Sequence, residues 1–277
     1  MEKIVCTCIL TLFCVKFALS RLDGLKTVES YMNICMLGKY HKSSPSPEKG
    51  LVSKFCSPWA VRSCCTEETA LDIHVNSAWL NFDWNHCGQL SSRCREYFIM
   101  DSCFYSCSPN VGPWLVEDVR KIRKERFKNV PLCEKVCDNW YEACKDDLTC
   151  TDEWAKNFNW STGINTCPHG SACRKFSEVF QNKASTFCEK VFGSFKVVPE
   201  DPNGGGNCFH LWFDPRHPNP NEAVARRRAS EILNVEYKVV QGSESNNGHN
   251  KAVQLDSRST FVVSMVVFTA VLADYVK

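Results

Sequence analysis

Asp101 sits where a carboxylate needs help. In the segment Ser91 to Ser106, Cys94, Phe98, Asp101 and Tyr105 recur at helical spacing and share one face, while Cys103 and Cys107 project the other way. An ionised acid on a partly apolar face is costly unless donors surround it. Two kinds of partner answer that need: an arginine from elsewhere in the chain, or a ligand that presents two adjacent N–H donors. The run Arg120-Lys121-Ile122-Arg123-Lys124-Glu125-Arg126 is the second feature. Such runs commonly form a solvated face. Arg123 and Arg126, however, are three apart, which places them on one side of a turn, from where both can donate to a carbonyl or a ring nitrogen. Aromatic density is the third feature: Trp154, Phe158, Trp160, Phe192, Phe195, Trp212 and Phe213 crowd the C-terminal half. Most of these rings belong in a core, and a few can wall a slot for a flat heterocycle.

Enzymatic chemistry is not signalled. The chain has no HExxH, GxSxG or GxGxxG, and Gly204 to Gly206 lack the continuation of a phosphate loop, so they read as a connection before Cys208. The 277 residues carry 33 Lys+Arg against 31 Asp+Glu, a balance that selects no polyanionic partner and gives no reason to expect nucleic acid. Nineteen cysteines are the anomaly, because a reducing cytosol does not let so many thiols pair. Zinc competes weakly for them, since there is no CxxC pair and no histidine at finger spacing.

Both termini agree with export. Residues 1–20, with an apolar stretch closing on Ala18-Leu19-Ser20, predict a signal peptide cleaved before Arg21, which removes Cys6, Cys8 and Cys14. Residues 261–277 hold an apolar run from Phe261 to Ala273, too short to span a bilayer at the ~20 residues a helix needs. A polar spacer, residues 241–260, precedes it and contains Ser245, Asn246, Asn247 and Gly248. That order fits a glycosylphosphatidylinositol signal, with Asn246 or Asn247 as the attachment residue. Residues 21–240 remain as one domain with 16 cysteines, an even number that can pair in about two million ways. Asn159-Trp160-Ser161 is the one glycosylation sequon, at Asn159.

The supporting elements are mainly helices. Cys133, Cys137, Trp140 and Cys144 step by four, three and four residues, a buried helical stripe that Asn129-Val130-Pro131 leads into. A further helix is expected from Asn219 through Ile232, with Asn219 as cap, Pro220 in the first turn and Glu222 closing a capping box.

Several segments together resemble the folate receptor family, in which the egg-surface protein Juno is a relative. They are Phe82-Asp83-Trp84-Asn85-His86-Cys87-Gly88, Cys107 to Trp114, Arg123-Lys124-Glu125-Arg126, Asn129 to Cys133, Trp212-Phe213-Asp214-Pro215 and Asn219-Pro220-Asn221-Glu222. The likeness runs from about Tyr31 to Ser230. It implies an α+β fold: a single globular, disulfide-rich domain, mainly helices with short strands and an open ligand pocket. It also implies eight disulfides, Cys35 to Cys64, Cys56 to Cys103, Cys65 to Cys107, Cys87 to Cys173, Cys94 to Cys144, Cys133 to Cys208, Cys137 to Cys188 and Cys150 to Cys167.

The resemblance further implies a role for each candidate residue. Asp101 holds the amino edge of a pterin, Arg123 and Arg126 hold its carbonyl side, Ser194 adds a hydrogen bond, and Trp160 binds the glutamate tail. Tyr105, Trp154, Lys156, Phe158, Phe192 and Phe195 complete the candidate ligand-binding set. The walls depart from the family pattern: Leu80 beside Trp79 stands where the receptors have tyrosine, Ile122 replaces tryptophan, and Ala155-Lys156-Asn157-Phe158 replaces His-Lys-Gly-Trp. Phe192 and Phe195 stand for Trp and Tyr. Each ring lost forgoes ~0.5–1.5 kcal/mol of stacking, which leads to an expectation of weaker or altered selectivity.

The function implied is a lipid-anchored receptor on the outer face of the plasma membrane that binds folate and carries it inward by endocytosis. It needs no cofactor and is not an enzyme. The alternative is a Juno-like adhesion receptor without a small ligand, whose partner is a sperm surface protein.

Overall fold

The computed structural model describes residues 20–51, 55–75, 81–202 and 206–237. Of the expected signal peptide all but Ser20, together with Trp79, Leu80, the expected attachment residues Asn246 and Asn247 and the apolar run from Phe261, lie outside the described residues. Among the described residues no helix is long and apolar enough to cross a membrane.

Helices dominate, as the stripe from Cys133 to Cys144 already required. Two central ones carry the domain: α3 (Ser92–Cys107) and α4 (Glu134–Cys144). Ser91 caps α3, its hydroxyl accepting from the Cys94 amide at 3.3 Å. Ser91 is itself held by Asp147, which accepts from its amide at 2.8 Å and its hydroxyl at 2.7 Å. That carboxylate lies just past the end of α4, so the start of one helix is tied to the end of the other. The Cys94–Cys144 disulfide fixes the same junction, and Phe98 meets Trp140 edge to face at 5.4 Å. Cys137, Trp140 and Cys144 are all fully buried, as their spacing demands.

Around this pair lie α1 (Val28–Met32), α2 (Glu67–Val75), α5 (Phe176–Val179), α6 (Ala184–Lys190) and α7 (Asn221–Leu233). The strands are short and come in pairs. β1 (Leu115–Glu117) is antiparallel to β2 (Glu125–Phe127), β3 (Val130–Cys133) is parallel to β6 (Phe195–Val198), and β4 (Leu148–Thr149) is antiparallel to β5 (Arg174–Lys175). Asn129, in the left-handed region at φ 56°, makes the turn between β2 and β3, a conformation asparagine tolerates better than most residues. Val130 then enters β3 ahead of Pro131, in the extended conformation that proline imposes on its predecessor.

All eight expected disulfides form, from Cys35–Cys64 through Cys150–Cys167. By closing loops they remove conformations from the unfolded chain, the longest loop being 86 residues between Cys87 and Cys173. Their number requires an oxidising compartment.

Helix α7 departs from expectation. It starts at Asn221, Pro220 occupies the cap position, and no side chain caps it. Asn219 accepts from the Asn221 amide at 2.9 Å and donates to Asn110 at 2.8 Å, while the buried Asn221 side chain exchanges both its hydrogen bonds with the His210 backbone. Glu222 turns outward to Arg226 at 2.9 Å instead of closing a capping box. The asparagines are therefore spent on joining α7 to its neighbours.

One long-range contact fixes the β1–β2 hairpin. Glu125 is only 3% exposed, and it receives the Arg21 guanidinium bidentately, Nε at 2.6 Å and Nη2 at 2.5 Å, together with the Leu37 amide at 2.8 Å. Arg21→Ala would leave that buried acid with one donor. With Arg21 itself a third exposed, we expect a loss of about 2 kcal/mol, seen as a fall in the thermal midpoint of roughly 4 to 8 °C. An unchanged midpoint would show that the Leu37 amide alone suffices.

Candidate functional site

The hairpin and α3 bring the candidate polar residues together. Asp101 lies on the inner face of α3, 7% exposed. Among the described residues nothing donates to its carboxyl, and burial pushes its pKa up to about 8. In the empty protein at neutral pH this acid is therefore mostly protonated. Tyr105 follows one turn later. Arg123 Nη1 approaches its hydroxyl at 3.5 Å, and both Asp101 and Arg123 influence the phenol electrostatically. Tyr105 thus separates an acceptor group from a donor group, which is the order of chemistry that a ligand with an amino edge and a carbonyl edge requires.

Arg123 and Arg126 are not on one side of a helical turn. Arg126 is the middle residue of β2 and Arg123 lies two residues before the strand, and a third residue draws both toward one carboxylate. Asp118, just after β1, accepts from Arg123 at 2.9 Å (Nε) and 2.6 Å (Nη2), and from Arg120 Nε at 3.0 Å, while Arg126 Nε stands 4.0 Å away. Against the opposing effect of burial, Arg120 and Arg123 hold the Asp118 carboxyl below the usual carboxylate range. Arg126 also donates to the Gly193 carbonyl at 3.3 Å, which sets it beside Ser194. The Ser194 carbonyl accepts from Val130 at 3.0 Å.

Behind these groups stands His41. Its Nε2 lies 3.1 Å from the Tyr105 carbonyl and must donate, because a carbonyl only accepts. Nδ1 is then a bare acceptor, fully buried and unpartnered among the described residues. Burial holds the pKa of His41 down to about 4, so a neutral ring supports the α3 backbone beside the site. Neither His41 nor Asp118 is signalled by sequence: Asp118 adjoins a cation run that hides it, and His41 is joined to Tyr105 across 64 residues of chain.

The aromatic candidates divide into two groups. Trp154 is fully buried, stacked at 5.0 Å on Phe98 and at 5.3 Å on Phe82, so both its faces are covered by protein rings. Phe158 and Phe192 meet its neighbour Phe82 edge on, at 5.6 and 5.9 Å. Phe195 belongs to a different cluster, against Phe104 at 5.8 Å and Phe127 at 6.1 Å, and Phe127 in turn lies 5.6 Å from Tyr105. Trp160 is exposed and tilted over Phe82 at 6.1 Å. Lys156 points to solvent and pairs with Glu153 at 2.8 Å, away from the buried acid. Asn159 is exposed, as a glycan acceptor must be, with its Oδ1 accepting from the Ser161 amide.

Two open concavities, of about 550 and 380 Å³, lie elsewhere on the body. The first is lined by Lys135, Glu200 and His210 among others and the second by Trp114, Lys128 and Arg228 among others; neither includes Asp101, Arg123 or Arg126. Every grouping of His, Cys and acid close enough to hold an ion includes disulfide-bonded cysteine, among the described residues. Such a sulfur has no thiolate to give.

The chain matches the folate receptor family over residues 34–210. It is 43% identical to human folate receptor gamma over 202 residues, which cover 73% of this chain and 82% of that protein. It is 41% identical to bovine folate receptor alpha over 196 residues, 70% and 80% of the two chains. Riboflavin-binding protein of Gallus gallus is 37% identical over 171 residues, 59% of this chain and 66% of the other. With this match, the eight disulfides and the helix-rich α+β body, the chain belongs to the folate receptor family.

Proposed function

We propose that this protein is a cell-surface receptor for folate or a closely related pterin, held by a glycosylphosphatidylinositol anchor at Asn246 or Asn247 and taken up with its ligand by endocytosis. The observation that carries the reading is Asp101: a buried acid without a donor among the described residues, one helical turn from Tyr105, with Arg123 beyond it. A 2-amino-4-oxopteridine offers two N–H donors on one edge and acceptors on the other, the complement of that order. Asp101 receives the amino edge, Arg123 and Arg126 donate to the carbonyl side, and Ser194 adds a hydrogen bond. Phe192 and Phe82 supply apolar contact, and Trp160, exposed at the margin, meets the tail. Trp154, Phe158 and Phe195 support this lining from behind, and Tyr105 forms part of it. The match to folate receptors of human and cow, stronger than that to avian riboflavin-binding protein, favours a pterin over another flat vitamin.

Folic acid titrated into the secreted, disulfide-bonded protein should quench tryptophan fluorescence saturably at micromolar concentration or below, with riboflavin binding more weakly. Absence of any saturable signal would leave the adhesion role, with a sperm surface protein as partner, as the surviving alternative. Release of the protein from intact cells by a phosphatidylinositol-specific phospholipase tests the anchor independently.

A further inference from the structure

We propose that Asp118 is the positioning residue of the donor side, a hairpin carboxylate that fixes the Arg123 guanidinium so that its Nη1 edge faces Tyr105 and the buried acid. The inference rests on the pterin reading above and names the residue that sets selectivity within that site.

The argument starts from the hairpin. Residues 118–124 join β1 to β2, and the turn is closed by backbone bonds from the Asp118 amide to the Lys124 carbonyl at 2.9 Å and from Arg120 to Arg123 at 2.7 Å. Asp118 and Arg123 are thus held across a tight loop, five residues apart. The carboxylate takes two of the guanidinium's three nitrogens, Nε and Nη2, through one oxygen at 2.9 and 2.6 Å. Two contacts on one edge of a planar, rigid fork leave it almost no freedom to rotate. The remaining nitrogen, Nη1, is the one directed at the Tyr105 hydroxyl. Asp118 is 14% exposed and Arg123 25%, so water screens the pair only partly.

Charge makes the arrangement selective. Arg120, Arg123 and Arg126 place three cations around this one anion, at 3.0, 2.6 and 4.0 Å. Without it they repel one another and Arg123 swings outward. With it, a fixed N–H donor is presented, which donates to a 4-oxo group and opposes a 4-amino group, where two donors would face each other. A residue that merely stabilised the fold would affect both ligands alike.

The test uses the secreted protein with folic acid and its 4-amino analogue. We expect the unaltered protein to bind folic acid more tightly. Asp118→Ala should weaken folic acid about tenfold while changing the 4-amino analogue less than threefold, so that the selectivity ratio shrinks. Asp118→Asn, nearly isosteric and still an acceptor, should recover part of the ratio and guards against misfolding of the alanine variant. An unchanged ratio in both variants overturns the proposal, as does tighter binding of folic acid. In the ligand-free protein, nitrogen-15 NMR should show a slowly exchanging Arg123 Nε–H that Asp118→Ala abolishes, assigned by its loss in Arg123→Lys. If the unaltered protein binds neither pteridine, the pterin reading falls and this signal still decides the positioning role: persistence of a protected Nε–H in Asp118→Ala refutes it.

Discussion

Asp101→Asn should lower affinity for folic acid by at least a hundredfold and at the same time make the empty protein more stable. The first effect follows from losing the acceptor for two N–H donors, each charge-assisted bond contributing about 1.5–3 kcal/mol. The second follows from the acid's raised pKa. A carboxyl at about 8 in the folded chain and 3.8 as its ordinary value binds a proton more readily when folded. Its contribution to stability is therefore complete below pH 4 and is lost as pH rises toward 8. At pH 7 the aspartate costs the empty fold a few kcal/mol, roughly 1.4 per pH unit above 4. The neutral amide avoids that cost. Ligand titration and thermal melting on one sample check both signs. Lys124→Ala, at an exposed position on the hairpin, should change affinity less than twofold. Equal losses for Asp101→Asn and Lys124→Ala would mean that the ligand does not bind at Asp101, and a destabilised Asp101→Asn would mean that the acid has a donor in the empty state.

The second large effect is on pH dependence. If the pterin binds the ionised form of Asp101, binding must expel the proton that the empty site retains. The apparent affinity then rises with the ionised fraction of the free protein, and below pH 8 it falls close to tenfold for each unit. Between pH 7.4 and 5.4 the expected weakening is about 80-fold. The groups facing Asp101 from the same side are Tyr105 and, beyond it, Arg123, neither of which titrates in that range. Dissociation constants across pH 5 to 8.5, with Asp101→Asn as the control that loses the slope, check this. A flat profile in the unaltered protein rejects linkage through Asp101. The resemblance to folate receptors puts a histidine where this chain has Ala155; under the proposed function this acid would supply a means of release at low pH that needs no histidine there.

How much of this was legible beforehand depends on distance along the chain. The α3 and α4 faces were readable because a period of 3.6 repeats over three or four turns. The β1–β2 hairpin was not, since strands of three residues offer too few alternations to reveal a period of two. Arg123 and Arg126 therefore read as neighbours on a turn, when in fact Asp118 draws both toward one carboxylate. Glu125 looked like one more charge in a solvated run. Its burial depends on Arg21, 104 residues earlier, and no local pattern carries that information. Trp154 had the composition of a ligand wall, but its two faces are taken by Phe82 and Phe98, a choice made by tertiary packing. The Asn219 segment signalled a helix start correctly but not the competing use of its side chains by Asn110 and His210.

Cys64 and Cys65 are neighbours in sequence with different partners, Cys35 and Cys107. When the nascent chain oxidises, either thiol can capture either partner, and the two outcomes differ by a single exchange of sulfurs. The mispaired isomer carries the same number of bonds, so the oxidant cannot distinguish it from the native one. Only burial of the correct pair does so, and only if the sulfurs are allowed to trade places first. Exchange between the two pairings, rather than the rate of oxidation, is then what sets how much correctly bonded protein forms.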